Sequence, residues 1–236
     1  MNGYFITGTD TDAGKTLVAT ALLTKARRQG LSTLGLKPVA AGCEWGPDGL
    51  CNTDALSLQA LTNPPVDYRT VNPVALEPPI APHLAATQAG MTLRLAELER
   101  AVRPALDASR DLILVEGAGG WRVPLSTQED LSGLAVRLAL PVILVVGLRL
   151  GCISHARLTL EAIRADGLHV AGWVATQTDA DIQEYAANIA TLEALLDVPC
   201  LGKVPWLGKT TAQSDSLLLA ERAADYLVLP GSPKLY

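Results

Sequence analysis

Short runs of aliphatic and β-branched residues alternate along this chain with stretches whose apolar positions recur every three or four residues. The first run, Tyr4–Thr7, predicts a strand. It leads into Lys15–Gln29, where Leu17, Val18, Ala21, Leu22 and Ala26 share a helical face. Thr33–Val39 reads as a second strand and Asp54–Leu61 as a short helix. Pro64, Pro65, Pro73, Pro78, Pro79 and Pro82 then crowd one stretch, which predicts an extended connection lying over the surface. Beyond it, helices are expected over Leu93–Leu106, Leu131–Leu138, Ile153–Ala165, Asp181–Leu195 and Ser214–Ala224. They interleave with strands over Asp111–Val115, Val142–Val146, Val170–Ala175 and Cys200–Val204. Strands reading LILV and VILVV are apolar on both faces, so the alternation predicts an α/β fold, a mostly parallel sheet with helices on both faces. No repeat or linker divides the chain, and residues 1–236 are expected to form a single domain.

Composition narrows this picture. With 49% hydrophobic and 18% charged residues, the chain can bury a sizeable core, which excludes intrinsic disorder. Aromatic residues make up 4%, so that core must be aliphatic. The longest apolar stretch, Leu138–Leu148, is flanked by Arg137 and Arg149, and its 11 residues fall short of the roughly 20 needed to span a bilayer. The first residues have no basic region or cleavage site, so a soluble cytoplasmic protein without membrane attachment is expected. Cys43, Cys51, Cys152 and Cys200 show no metal-ligand spacing and fit reduced thiols. A net charge of −5 with no basic block argues against a nucleic-acid partner. It leaves phosphate ligands open, because a few local groups can hold them.

Such groups follow the first strand. Gly8-Thr9-Asp10-Thr11-Asp12-Ala13-Gly14-Lys15-Thr16 runs straight into the first helix, the setting of a phosphate-binding loop. Its amides and the helix N-terminus face an anion, Lys15 adds a full charge, and Thr16 can bind magnesium. The spacing departs from the common pattern, with five residues between Gly8 and Gly14 instead of four. Lys37, closing the second strand, fits either a second cation over the same phosphates or an exposed strand-end lysine. Glu116 follows the strand LILV and precedes Gly117-Ala118-Gly119-Gly120, which fits a magnesium carboxylate or a solvated strand-end acid. Asp54 fits a second magnesium carboxylate or a first-turn acid. Gly151-Cys152-Ile153-Ser154 opens a helix that fits a second anion site or an ordinary cap near Ser154. Trp121, Trp173 and Trp206 lie near strand ends, where core or rim packing is the default for each.

Taken together, GTDTDAGKT, Lys37-Pro38-Val39, Asn52–Leu56, Val71-Asn72-Pro73, VEGAGGW, LPVILVVGLRLGCISHA, Ala171–Ala175 and Pro205-Trp206-Leu207 resemble the dethiobiotin synthetases of the P-loop NTPase superfamily. The resemblance implies a ligase that closes a cyclic urea on 7,8-diaminononanoate with CO2 and ATP, through a carbamate and a carbamic-phosphoric anhydride. It implies magnesium (Mg2+) and a homodimer whose sites lie at the subunit interface. By position, Thr11, Lys15 and Lys37 would be catalytic, and Thr16, Asp54 and Glu116 would ligate the metal. Asp12, Ala13, Gly14, Leu17, Gly117, Ala118, Gly119, Thr176, Gln177, Pro205, Trp206 and Leu207 would join them in holding the nucleotide. Ala41, Gly151 and Cys152 would contact the diamine, the last two from the neighbouring subunit.

Three positions depart from the family pattern. Ala41 stands where a serine is common, Thr176 where an asparagine reads adenine, and Asp12 where glutamate is usual. A nucleotide switch of the partitioning-ATPase type is the alternative reading. The loops of such switches carry a lysine where this chain has Asp10, and their membrane-binding members have a basic tail that this chain lacks.

Overall fold

The computed structural model describes residues 3–47, 49–208 and 213–231. The chain opens with β1 (Gly3–Gly8) and α1 (Lys15–Arg28), then β2 (Thr33–Leu36), β3 (Val39–Ala41) and the hairpin of β4 (Glu44–Gly46) and β5 (Gly49–Cys51). Next come α2 (Thr53–Ala60), α3 (Tyr68–Val71), β6 (Val74–Leu76), α4 (Pro82–Gln88) and α5 (Leu95–Asp107). The last part alternates regularly: β7 (Leu112–Glu116), α6 (Ser132–Leu138), β8 (Val142–Leu148), α7 (Cys152–Ala165), β9 (Val170–Gln177), α8 (Tyr185–Leu195), β10 (Cys200–Val204) and α9 (Gln213–Ala223).

Six strands form one parallel sheet in the order β10-β9-β8-β1-β7-β2. Strand residues alternate between two apolar layers. Phe5, Ile113, Val115, Leu144 and Val146 face α5, α6 and α7, whereas Ile6, Leu112, Leu114, Ile143 and Val145 face α1, α2 and α9. Burial on both faces explains why the strands read as continuous apolar runs. The two middle strands are β8 and β1, and the chain leaves β1 toward β2 on one side while β8 lies on the other. The carboxyl end of β1 is therefore the switch point at which an open parallel sheet forms its ligand crevice.

The sequence reading needs four corrections. Thr33–Val39 is not one strand: β2 stops at Leu36, and Val39–Ala41 pairs instead with Val74–Leu76 in a separate two-stranded sheet. Pro38 has no N–H to continue the ladder, and the loop at 71–72 binds the backbone of Lys37 there. The proline-rich stretch is not a surface connection. It carries α3, β6 and α4, buries Val71 and Leu76 completely, and uses Pro82 in the first turn of α4, where a missing N–H costs nothing. The hairpin at 44–51 was not anticipated. Finally, α8 begins at Tyr185 rather than Asp181, after Glu184 in a left-handed conformation (φ 53°).

Close approach fixes one glycine of the crevice. A Cβ on Gly147, near the end of β8, would stand 2.9 Å from Cα of Ala13 in the phosphate loop. We expect Gly147→Ala to push that loop outward, lowering stability by about 1–3 kcal/mol as overpacking does. Nucleotide affinity should fall with it. Denaturant unfolding and nucleotide titration check both, and wild-type values in each would show that the loop yields freely.

Candidate active site

The crevice begins where β1 ends. Thr9 donates its N–H to the Val145 carbonyl at 2.9 Å, so the loop stays fastened to β8 as it leaves the sheet. Asp12 (φ 58°) and Gly14 (φ 87°) both adopt left-handed backbone, and Gly14 caps α1. These two residues turn the longer loop back onto the helix start. The first free amides of α1 then face the space the loop encloses. Ala13 is buried beneath it, and its carbonyl accepts the Thr176 hydroxyl at 2.5 Å. The Lys15 ammonium donates to the Asp10 carbonyl at 3.0 Å. Burial pushes the Lys15 pKa below the ordinary lysine range; Glu116 opposes that shift and Lys37 adds to it.

Sheet register builds the charged cluster beside the loop. Leu36 pairs with Val115, so Lys37 and Glu116 leave adjacent strands side by side. Glu116 is only 1% exposed, and its Oε1 accepts from Lys37 Nζ at 2.7 Å and from the Thr16 hydroxyl at 2.8 Å. Lys37 also donates to Asp54 Oδ2 at 2.8 Å. Burial alone would depress the Lys37 pKa, but Glu116 and Asp54 hold it above the ordinary lysine range. The same contact holds Asp54 below the usual carboxylate range despite its burial. Asp54 sits in the first turn of α2, whose N-cap Asn52 accepts from the amides of Asp54 and Ala55 at 3.1 and 3.2 Å.

Glu116 Oε2 is buried and has no hydrogen-bond partner among the described residues. An orphaned carboxylate oxygen beside a threonine hydroxyl and a second carboxylate is a hard-oxygen donor set. Such a set suits a small divalent cation that keeps its remaining positions for phosphate and water.

These groups open into one cavity of about 820 Å³. Its lining includes Thr11, Asp12, Gly14, Lys15, Thr16 and Leu17 from the loop, and Lys37, Ala41, Asp54, Glu116, Ala118 and Gly119 from the neighbouring strand ends. Ala13 and Gly117 support it from behind; a Cβ on Gly117 would meet the Phe5 ring at 3.1 Å. Thr176 is also behind the wall, its hydroxyl committed to the loop. Gln177 accepts the Trp206 N–H through Oε1 at 3.2 Å, joining the end of β9 to the half-buried Pro205, Trp206 and Leu207. Gly151 lies apart, on a second cavity of about 530 Å³ that it shares with Leu150, Ile153, Ser154 and Leu158. The adjacent Cys152 is buried, and Gly151 rather than Ser154 caps α7. Of the tryptophans, Trp173 is core and Trp121 packs edge-on against Phe5.

Sequence reasoning missed several contributors. Asn52 lines the cavity as well as capping α2, and the far wall is Pro79 to Pro82 with Arg122 to Pro124. Arg122 forms a bidentate pair with Asp166, which also accepts from Trp121 Nε1 at 2.8 Å. The available signals were a capping asparagine two residues before Asp54 and a basic residue directly after VEGAGGW.

A match to the AAA domain family spans residues 2–214. The chain is similar to the ATP-dependent dethiobiotin synthetase BioD of Chromohalobacter salexigens, 59% identical over 98% of this chain and 99% of that protein. The protein of the same name from Cellvibrio japonicus is 59% identical over 90% and 93% of the two chains. Among solved structures, the cell division ATPase MinD of Pyrococcus furiosus covers 94% of this chain and 98% of its own, with a TM-score of 0.51. At 18% identity that likeness concerns the fold alone.

Removing Lys37 takes from the buried Glu116 its one ion-pair partner among the described residues. We expect Lys37→Met to lower unfolding stability by about 3–5 kcal/mol, and adding Glu116→Gln to recover much of it. Urea unfolding of the single and double variants checks this. Equal stability of the two would mean that Glu116 draws its compensation elsewhere.

Proposed function

The chain belongs to the family of ATP-dependent dethiobiotin synthetases, and we propose that its main cavity closes a cyclic urea on 7,8-diaminononanoate with CO2 and ATP. The observation that carries this reading is the joint opening of the phosphate loop and the Lys37–Glu116–Asp54 cluster into one cavity. A triphosphate and a small acceptor can meet there.

The chemistry has three steps. One amine adds to CO2, forming an N–C bond and losing a proton to give a carbamate. A carbamate oxygen attacks the γ-phosphorus; the O–P bond forms as the bond to the β,γ-bridging oxygen breaks and ADP leaves. The second amine attacks the carbamoyl carbon, closing the ring as the C–O bond to phosphate breaks and the nitrogen loses its proton.

The groups that line the cavity match the phosphoryl transfer and the approach of its acceptor. Lys37 remains protonated in the grip of two carboxylates, so it presents a fixed charge to the transferring phosphoryl group. Lys15 and the amides from Asp12 to Leu17 cradle the triphosphate. Asp10 Oδ1 accepts the Thr11 N–H at 2.7 Å, holding Thr11 at the rim of the cavity toward phosphate and carbamate. Ala118 and Gly119 let the acceptor approach closely, and Ala41 offers it a methyl where relatives of this pattern offer a hydroxyl. Thr16, Asp54 and Glu116 fit Mg2+, as the orphaned Glu116 Oε2 argues. When bound, that ion neutralises charge on the triphosphate.

We place Gly151 and Cys152 at the far end of the diamine, reached from a second copy of the chain. Leu150 and Leu158 support this, being fully and largely exposed beside that second cavity. Apolar side chains of that size at a cavity rim are suited to an interface. The reading is of a cytoplasmic homodimer; no helix among the described residues is long and apolar enough to cross a membrane.

Two measurements test the reading. Purified protein given the diamine, bicarbonate and MgATP should form dethiobiotin with diamine-dependent phosphate release; the absence of both across several nucleotides would sink it. Base preference should be weak, because the Thr176 hydroxyl spends its one proton on the Ala13 carbonyl and the side chain is buried. We expect kcat/KM for the common nucleoside triphosphates to agree within about tenfold. A preference for ATP of several hundredfold would show that Gln177 or the 205–207 segment reads the base instead.

A further inference from the structure

A third cavity, of about 480 Å³, lies on the outer edge of the sheet, between β2, α3 and α5. Its volume is in the range of small-molecule sites, roughly 300–1,000 Å³. Leu34, Val66 and Pro73 form one side, and Ala101 and Ala105 of α5 form the other. Two guanidinium groups border this apolar surface, and no carboxylate side chain lines it. Arg69 is exposed and has no hydrogen-bond or ion-pair partner among the described residues. Arg110 donates from Nη2 to the Pro64 carbonyl at 3.2 Å, while its Nε is buried with no acceptor. Two under-used cations over an aliphatic floor complement a ligand with one anionic end and an apolar tail.

The wall of this groove also holds the active-site cluster. Arg69 and Thr70 of α3 face the groove, and Pro73 follows. From the same segment, the Val71 carbonyl accepts the Lys37 N–H at 2.8 Å, and Asn72 Nδ2 donates to the Lys37 carbonyl at 2.7 Å. The Tyr68 hydroxyl donates to Asn72 Oδ1 at 2.9 Å and accepts the Asn52 N–H at 2.8 Å. Asn52 in turn caps the helix that carries Asp54. The 68–73 segment therefore clamps the backbones behind both partners of the Lys37–Asp54 pair.

We propose that this groove is an effector site for a small aliphatic carboxylate, and that its occupancy alters turnover by shifting the 68–73 clamp on Lys37 and Asp54. The occupant's carboxylate bridges Arg69 and Arg110, and its chain lies along Leu34, Pro73, Ala101 and Ala105. Binding depends on the groove alone, whereas the effect on turnover also rests on the ring-closing reaction proposed above.

The test uses the full chain, with sodium octanoate as the probe and octan-1-ol and inorganic phosphate as controls. Calorimetry should show saturable octanoate binding that MgATP does not displace. Each control should bind at least about tenfold more weakly, since each lacks one half of the recognition. Arg69→Glu should abolish octanoate binding, and Arg110→Gln should weaken it about tenfold. Saturating octanoate should change kcat in the wild type and leave it unchanged in Arg69→Glu. Because Arg69 is exposed and unpartnered, that variant decides the matter even where Arg110→Gln folds poorly. The site is refuted by an absence of saturable binding, by equal binding of octan-1-ol, or by undiminished affinity in Arg69→Glu. Saturable binding with kcat unchanged refutes the effector role. The calorimetric arm stands whatever reaction the enzyme performs.

Discussion

A carboxylate that is almost completely buried is tolerated only if something compensates its charge, and around Glu116 that requirement organises the neighbourhood of the phosphate loop. Lys37 and Thr16 both approach one oxygen of Glu116, from just past the end of β2 and from the first turn of α1 respectively. Leaving such a charge unpaired would cost several kcal/mol, a large share of the net stability of a domain. Local features that look unrelated follow from it. β2 ends at Leu36, one residue before Lys37, which leaves the lysine at the carboxyl edge of the sheet beside Glu116. Asp54 must be held at a fixed distance, and the Asn52 cap does so through the two amides it accepts.

The pairing also sets what the site can do. With Glu116 and Asp54 both against it, Lys37 keeps its proton, so it acts as a fixed charge and not as a base. Lys15 differs, because burial draws its pKa down and a backbone carbonyl is its hydrogen-bond partner. Two lysines in one crevice thus have different electrostatic roles, set by their partners rather than by residue type. Only one oxygen of Glu116 is engaged by this arrangement, and the other is left as a built-in acceptor.

The sheet and the phosphate loop were legible in the sequence because each follows from short-range pattern. Apolar runs such as LILV specify doubly buried strands, and a glycine-rich segment between strand and helix specifies an anion cradle. The segment from Lys37 to Gln88 was much less legible. Its prolines suggested exposure, yet Val71 and Leu76 are in the core and Tyr68 and Asn72 hold the cluster from behind. Their contacts with Asn52 and Lys37 pair residues 16 and 35 positions apart, and no periodicity reports them. The hairpin at 44–51 was hidden for a related reason: its strands are three residues long and show too little alternation to register. Arg122 and Asp166, 44 positions apart, were equally out of reach of local reading.

Thr176 shows how position and role can separate. Its place at the end of β9 was evident from the strand pattern, but its partner was not. The hydroxyl binds the Ala13 carbonyl, and a Cβ on Gly14 would come within 3.2 Å of three atoms of this same side chain. Thr176 therefore braces the turn that the extra loop residue creates, next to the left-handed backbone of Asp12 and Gly14. For a non-glycine residue such as Asp12, that conformation costs roughly 1–2 kcal/mol, so the surrounding contacts must hold it. The longer loop is then not a degraded version of the common spacing. Ala13 beneath it, Thr176 behind it and Gly147 against it form a matched set, in which a change of size or polarity at any one acts on the loop.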